Sequence, residues 1–151
     1  MSDLSIPAVL PAPSPELMAG ICEVERRIRE RKQIEIQTEH VIHGGMYART
    51  VRLEPGFVIV GVLVKVATVL ILHGDALVLM GEDWERLTGY HILTGSAGRK
   101  GVFVALQPTE LTMICASKAK TVEQAEADFT DEADNLLSRQ QNNDLVTITG
   151  E

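Results

Sequence analysis

The chain has 151 residues and a formal net charge of −7, with 45% hydrophobic, 23% charged and only 4% aromatic residues. This length excludes a large multidomain enzyme, and the apolar content allows one domain whose core consists mainly of aliphatic side chains. The acidic excess repels phosphate backbones, which excludes nucleic acid as the main partner. Cys22 and Cys115 show no metal or redox spacing and are interpreted as buried free thiols.

The N-terminal segment is predicted to be an arm followed by a helix. Residues 1–13 form an extended arm because closely spaced prolines fix φ and remove backbone donors. The arm lacks a positive n-region and an unbroken apolar stretch, which excludes a signal peptide and predicts a cytosolic product. A helix over residues 14–33 follows, with Ser14 as N-cap and Pro15 at its first position. Its basic end, residues 26–32, is interpreted as solvated charge that complements the helix dipole rather than as an anion site.

Residues 34–118 form the predicted β domain. The apolar period changes here from 3.6 to 2, and glycine, proline and aspartate turns recur at short intervals. Many short strands with frequent turns are typical of a jelly roll or another two-sheet barrel. The predicted strands cover residues 35–42, 47–53, 57–66, 68–72, 76–80, 85–87, 90–94, 101–106 and 110–115.

The apolar run over residues 57–72 resembles a membrane helix only superficially. It is shorter than the about 20 residues that a membrane span needs, it carries Lys65 near its middle, and it is rich in β-branched residues. We therefore predict two buried strands and no membrane partner. Because alternate strand residues share a face, Val62 and Val64 are expected to point in the same direction.

The C-terminal part is predicted to be a helix, a linker and a strand. Residues 119–139 form an acidic amphipathic helix that opens with a capping box at Thr121 and Gln124. Its acidic side chains are interpreted mostly as solvated charge rather than as a carboxylate metal site. Residues 140–151 form a polar linker and a terminal strand with no obvious partner, of the kind that adds to a neighbouring sheet edge.

Four stretches between His40 and Cys115 carry a resemblance to a known family. They read HGGMYARTVRLEPG, HGD, GYHILTGSAGRKGVFVAL and PTELTMI. With them, about half of the chain resembles the small cupin-like proteins of tailed bacteriophages. The resemblance implies a double-stranded β-helix followed by a helical tail. The expected fold class is therefore mainly β, a cupin-like jelly roll with one N-terminal and one C-terminal amphipathic helix.

The metal-binding signature of cupins is not filled in this chain. Aligned on Gly56 and Gly98, the ligand positions fall on residues without suitable donors: Val62, Val64, Thr68 or Val69, and Gly101. A divalent ion needs imidazole or carboxylate ligands. The sequence thus predicts no metal, no cofactor and no catalytic residue, and it leaves the usual cupin chemistry unsupported. A rearranged site that uses His73, predicted at a turn, and His91, predicted on a separate strand, is the remaining alternative.

The glycine-rich turn GSAGRK at residues 95–100 has two interpretations. Successive backbone N–H groups in such a turn can form an anion-binding nest. The preferred interpretation is a strand connection with exposed cations.

Packing and resemblance together predict a binding role. If the valine face fills the interior, the opposite face with Phe57, Ile59 and Leu63 needs a cover, which predicts a homo-oligomer, either a dimer or a trimer. The resemblance implies a non-catalytic virion structural or assembly protein of a tailed phage, made in the host cytoplasm and bound to other virion proteins. Its place would be head decoration, the head–tail junction or the tail. The alternatives are a metal-dependent or small-ligand-binding cupin enzyme, and a soluble phage accessory protein that binds a host factor.

Overall fold

The computed structural model describes residues 9–151. The arm predicted over residues 1–13 therefore lies outside the described residues except for its end, where Val9–Leu10 forms strand β1. Helix α1, Pro15–Arg29, begins at the predicted N-cap, because the Ser14 hydroxyl oxygen accepts a hydrogen bond from the Leu17 amide at 3.2 Å. The helix ends before residue 33, and none of the helices within residues 9–151 has the length and apolarity that a membrane crossing requires.

Eight further strands follow and make the described chain mainly β, as predicted. They are β2 Thr38–His43, β3 Met46–Leu53, β4 Val58–Val60, β5 Thr68–Met80, β6 Asp83–Gly95, β7 Val102–Ala105, β8 Thr109–Ala116 and β9 Asp144–Ile148. The strand order is β1-β6-β5-β8-β3-β2-β9, with β7 also paired to β5 and β4 paired to β7. All pairs are antiparallel except β1 with β6 and β2 with β9.

Strand β5 changes its partner near its middle. Its first half pairs with β8 and its second half, residues 76–78, pairs with β7. Gly74 lies at the change with φ +150°, and a Cβ there would lie 2.6 Å from the Pro108 carbonyl oxygen. The turn predicted around Gly74 is therefore wrong, because Gly74 and its β6 partner Gly89 let a continuous hairpin bend without ending.

The core lies between the β4–β7 pair and strands β3, β5 and β8. Its buried side chains are mostly aliphatic, as the composition predicts, and include Leu53, Leu72, Val78 and Phe103. Both cysteines are free, but only Cys115 is buried; the prediction is wrong for Cys22, which lies on an exposed face of α1. The strand predicted over residues 57–66 is reduced to β4.

The shortening of that strand has a local cause in the backbone after β4. The amides of Gly61, Val64 and Lys65 donate to the carbonyl oxygens of Gly101, Arg99 and Phe129, respectively. These acceptors lie in different segments of the chain, so one continuous strand pairing is not formed.

The single helix predicted over residues 119–139 is wrong. The segment contains helix α2, Val122–Phe129, and a 3₁₀ turn, Ala133–Asn135, before helix α3, Leu137–Gln141. The break occurs because Thr130 adopts an extended conformation and its hydroxyl donates a 2.7 Å hydrogen bond to the Leu63 carbonyl oxygen.

The terminal strand has a partner within its own chain. Strand β9 pairs in parallel with β2 from Thr38 to Ile42. The side chain of Asp144 in β9 also reaches His40 of β2, with 2.8 Å between Oδ1 and Nε2. The prediction of a strand without a nearby partner is therefore wrong, because β2 offers a free edge that sequence spacing does not show.

Candidate functional site

A cavity of about 150 Å³ lies inside the β domain. Most of its wall is apolar and includes Val62, Val64, Leu70, Phe103, Met113 and Phe129. Four polar residues also line it: Thr38, Arg49, Arg99 and Asn135. A concave apolar space with a few converging polar groups is the usual form of a small-molecule site.

Three of the positions expected to match metal ligands, Val62, Val64 and Gly101, line this cavity, whereas Thr68 and Val69 do not. Val62 and Val64 are both buried in its wall, so they share a side as predicted. Gly101 also lines it, and a Cβ there would lie 2.7 Å from the Phe103 ring. Val69 instead lies exposed on the outside, which leaves Thr68 as the inner residue of that pair. The valines do not plug the interior as predicted, because the space between them and the opposite wall stays open.

Arg99 places a positive charge in this apolar interior. The residue is only 5% exposed, and one guanidinium nitrogen, Nη2, donates to the Thr68 hydroxyl oxygen at 2.7 Å. Its Nε is buried and has no hydrogen-bond partner among the described residues. No carboxylate within residues 9–151 pairs with it, and burial lowers the pKa of the guanidinium. An unsatisfied buried donor of this kind is costly and calls for a functional explanation.

The surrounding glycine-rich turn positions Arg99. A Cβ on Gly95 would lie 2.3 Å from Nε, so only glycine leaves room for the side chain. The backbone is held against the opposite segment, because the Val64 amide donates to the Arg99 carbonyl oxygen at 2.8 Å and the Gly98 amide donates to Val64 at 2.7 Å. The prediction that this turn carries exposed cations is wrong, since Arg99 and Lys100 are both buried. The sequence does contain one signal for this burial, since Arg99 lies between two glycines, Gly98 and Gly101.

Arg49, the second guanidinium of the wall, is compensated. Its Nη1 donates to the Glu126 carboxylate at 2.9 Å, and its Nη2 donates to the Ser138 hydroxyl at 3.0 Å. Glu126 is 1% exposed and also accepts from Arg139 Nε at 3.0 Å. Burial raises the pKa of Glu126, but the hydrogen bonds from Ser138 and Arg139 and the charge of Arg49 outweigh this effect and lower it overall. The acidic side chains of this segment are predicted to be mostly solvated charge, and Glu126 departs from this prediction because it is buried in an ion-pair network.

These contacts leave the cavity wall with one uncompensated positive charge. Glu126 balances Arg49, whereas Arg99 has only a neutral hydroxyl beside it. Within the described part of the chain, no cluster of three or more histidine, cysteine or acidic side chains is placed to hold a metal ion. The residues present do not fit a divalent cation, because the inner positions lack donors and Arg99 repels positive charge.

The two histidines considered for a rearranged metal site lie on opposite faces of the β5–β6 hairpin. His73 pairs with Tyr90, and the two rings meet edge to face with centroids 5.8 Å apart. His91 pairs with Leu72, a fully buried core residue, and hydrogen-bonds the Thr88 carbonyl oxygen at 2.8 Å. Because adjacent strand positions point to opposite faces, these imidazoles cannot bind one ion together.

A second cavity of about 450 Å³ lies beside the first, between α1 and β4. Ile36, Val62 and Leu137 line both cavities, and Arg31 and Lys32 line the second alone. The second cavity thus adjoins the interior and carries basic side chains.

A buried ion pair holds helix α1 at this second cavity. Lys100 Nζ lies 3.0 Å from Glu25 of α1 and 3.5 Å from Glu132, and the lysine side chain is almost fully buried. Lys100 follows Arg99 directly in the chain. The same turn therefore places the Arg99 guanidinium at the interior cavity and anchors helix α1 through Lys100.

Several solved structures similar to this chain are described as cupin proteins. A protein of this superfamily from Desulfitobacterium hafniense has 11% identity and a TM-score of 0.48, and the match covers 58% of this chain and 83% of that one. A cupin 2 domain-containing protein from Halorhodospira halophila has 15% identity, coverages of 58% and 68%, and a TM-score of 0.48. An RmlC-like cupin family protein with a double-stranded β-helix fold, from Methanocaldococcus jannaschii, has 13% identity, coverages of 58% and 84%, and a TM-score of 0.47.

No protein-family model and no curated protein matches this chain. At the identities given, the likeness concerns the fold alone and says nothing about ligand or reaction. The expected fold class, mainly β and cupin-like, is confirmed by the strand content and sheet topology. Nothing in these structures links the chain to tailed phages.

Proposed function

We propose that this protein is a non-catalytic binding protein that holds a small organic molecule inside its β domain. One observation carries the proposal: an apolar cavity whose wall includes Arg99, a buried cation with an unpartnered Nε. Without a ligand this arrangement costs stability, because the buried Nε has no acceptor among the described protein groups. A bound molecule would supply the missing acceptor and cover the apolar wall.

The chemistry of the cavity wall supports binding rather than catalysis. The described residues that line it include no histidine, cysteine, lysine or acidic side chain. General acid–base catalysis uses such groups, and a hydroxyl nucleophile such as Thr38 needs one of them beside it as a base. The neutral hydroxyl of Thr38 and the fixed charges of Arg49 and Arg99 suit recognition.

A cavity-filling substitution tests the proposed site. Val62→Phe adds an aromatic ring at the wall, and the present volume can take that ring, so we expect a folded protein without binding. The measurement is ligand-observed NMR with a panel of benzene-sized molecules. Wild-type protein should give saturation transfer to some of them.

The neighbouring residue provides the matched control. Leu63→Phe introduces the same side chain at a partly exposed position and should bind the panel as wild type does. Equal binding by wild type and the Val62→Phe variant would place the ligand elsewhere and contradict the proposal.

The alternative of a metal-dependent cupin enzyme has its own direct test. Protein purified without added chelator or affinity tag is analysed for iron, manganese, nickel and zinc. We expect no stoichiometric metal, because Val62, Val64 and Gly101 offer no ligand atoms. One equivalent of bound metal would favour the enzyme.

The virion role expected from the phage resemblance stays a prediction. Two features that favoured it differ from expectation, since β9 pairs with β2 and β1 pairs with β6 of the same chain. Peptides of this protein in mass spectra of washed phage particles would support a virion component. Their presence only in infected-cell lysate would favour an accessory factor.

A further inference from the structure

We infer that the ligand of the interior cavity is a small monocarboxylate with an apolar body, bound through the guanidinium of Arg99. This inference rests on the proposed function and adds the chemical class. Arg99 is 5% exposed, its Nε has no partner, and Thr68 takes only one of its five N–H donors. A carboxylate matches the planar donor fork of arginine and forms short, charge-assisted hydrogen bonds with it.

The charge of the cavity wall favours a monoanion. Arg49 is already paired with Glu126, so Arg99 supplies the one uncompensated charge. A single carboxylate would neutralise it completely. A dianion such as phosphate would carry surplus charge and place polar oxygens against Val64 and Leu70, where nothing compensates their lost hydration.

The size and polarity of the remaining wall limit the rest of the ligand. An apolar cavity of about 150 Å³ accommodates a molecule such as benzene. Beyond the polar side, the ligand would contact Phe103, Met113 and Phe129, which suit an aromatic ring or a branched aliphatic chain. Benzoate and 3-methylbutanoate therefore serve as probes.

The cavity that adjoins the interior carries matching charge. The molecule as a whole has a net charge of −7 and repels anions, but Arg31 and Lys32 line this second cavity, and Glu25, which also lines it, is paired with Lys100. Because local fields within a cleft concentrate ligands of opposite sign, these cations favour the approach of a carboxylate on this side.

The test is calorimetric titration of the full chain with benzoate and with benzyl alcohol, a neutral molecule of similar size. We expect wild-type protein to bind benzoate at least about ten-fold more tightly than benzyl alcohol, one charge-assisted contact accounting for that factor. Arg99→Met should abolish the preference and keep the weak binding of benzyl alcohol. Arg99→Lys, which keeps the charge but not the planar fork, should retain a reduced preference.

The outcomes separate this inference from the proposed function. Equal affinities for the two probes, or an unchanged preference in Arg99→Met, would overturn the carboxylate assignment while leaving an interior ligand site intact. Binding of inorganic phosphate more tightly than benzoate and 3-methylbutanoate would overturn it as well. The carboxylate assignment would also be overturned if wild-type protein bound neutral probes but neither carboxylate. In that case Val62→Phe should still block the neutral probes, which would keep the interior site. Loss of every probe would instead contradict the proposed function itself.

Discussion

Arg99 and Glu126 are both buried charges, but their surroundings differ. Glu126 accepts hydrogen bonds from Arg49, Ser138 and Arg139, which satisfy its oxygens inside the protein. Arg99 has one neutral partner, Thr68, and a free Nε. Removing a paired buried charge leaves its partner uncompensated, whereas removing an unpaired one relieves a desolvation cost. Opposite effects on stability are therefore expected at the two positions.

Replacement of Glu126 tests the paired case. Glu126→Gln keeps the shape but leaves the Arg49 guanidinium without its carboxylate, so the free energy of unfolding should fall by about 3 kcal/mol. Urea denaturation measures it. The same change at Glu123, exposed on the same helix, should alter the free energy by less than about 0.5 kcal/mol. Equal small effects at both positions would contradict a buried charge network.

The effect of pH on this difference follows from the pKa of Glu126. Burial raises this pKa, but its donors outweigh burial and lower it below the ordinary value of 4.5. A carboxyl group with a lower pKa in the folded state stabilises the protein above its unfolded value and loses that contribution as the pH falls through the folded value. The difference between wild type and Glu126→Gln should thus be constant at neutral pH and shrink below pH 4.5. If the difference grew on acidification, the pKa of Glu126 would not be lowered in the folded protein.

Replacement of Arg99 tests the unpaired case. Arg99→Met keeps the length of the side chain and removes the buried charge, so the melting temperature should stay the same or rise when no ligand is present. Differential scanning calorimetry measures it. A large fall would mean that Arg99 serves the fold rather than a ligand.

At the scale of elements, Gly74 and Gly89 oppose each other at the bend of the β5–β6 hairpin. Both have positive φ, but their surroundings differ. A Cβ on Gly74 would lie 2.5 Å from the Thr109 hydroxyl, whereas a Cβ on Gly89 would meet nothing within 4 Å. The pair therefore separates steric conflict from backbone strain.

Alanine substitutions at these glycines give unequal predictions. Gly89→Ala should lower the free energy of unfolding by about 1–2 kcal/mol through backbone strain alone. Gly74→Ala adds a clash where β5 changes partners and should cost more than about 4 kcal/mol or prevent folding. Chemical denaturation compares them, and equal costs would argue against the close approach of residues 108–109.

Local patterns predicted the strands of this protein well, and long-range contacts account for the errors. Alternation identified most strands because each residue's face depends only on its neighbours in sequence. The break at Thr130 depends on a carbonyl group of Leu63, and the burial of Arg99 depends on Thr68 and Gly95. Such contacts join segments far apart in sequence, so neither the helix break nor the candidate site was predictable from spacing.

On the scale of the whole molecule, the outer face of the large sheet carries exposed apolar side chains. Tyr90, Ile92, Val69 and Val9 are all exposed, and strand register places them on neighbouring strands. Of the three residues predicted to need a covering subunit, Phe57 and Ile59 are packed against the core of the same chain, and Leu63 is partly exposed. We therefore propose that the predicted dimer or trimer uses the outer sheet face.

Sedimentation velocity tests this association. Ile92→Glu places a charge in the middle of the apolar face and should convert the dimer or trimer into a monomer, because an unpaired charge in an interface is costly. Val24→Glu, at an exposed aliphatic position on α1, should leave the mass unchanged. A monomeric wild-type protein would contradict the proposal.

We propose that the interior of this β domain holds an organic anion bound to Arg99. The most direct measurement is a crystal structure of the full chain grown with benzoate. We predict density for the carboxylate within hydrogen-bond distance of Arg99 Nε and for the ring against Phe103 and Met113. A metal ion in that space, or an Arg99 guanidinium fully bonded to protein groups with benzoate absent from the cavity, would contradict the claim.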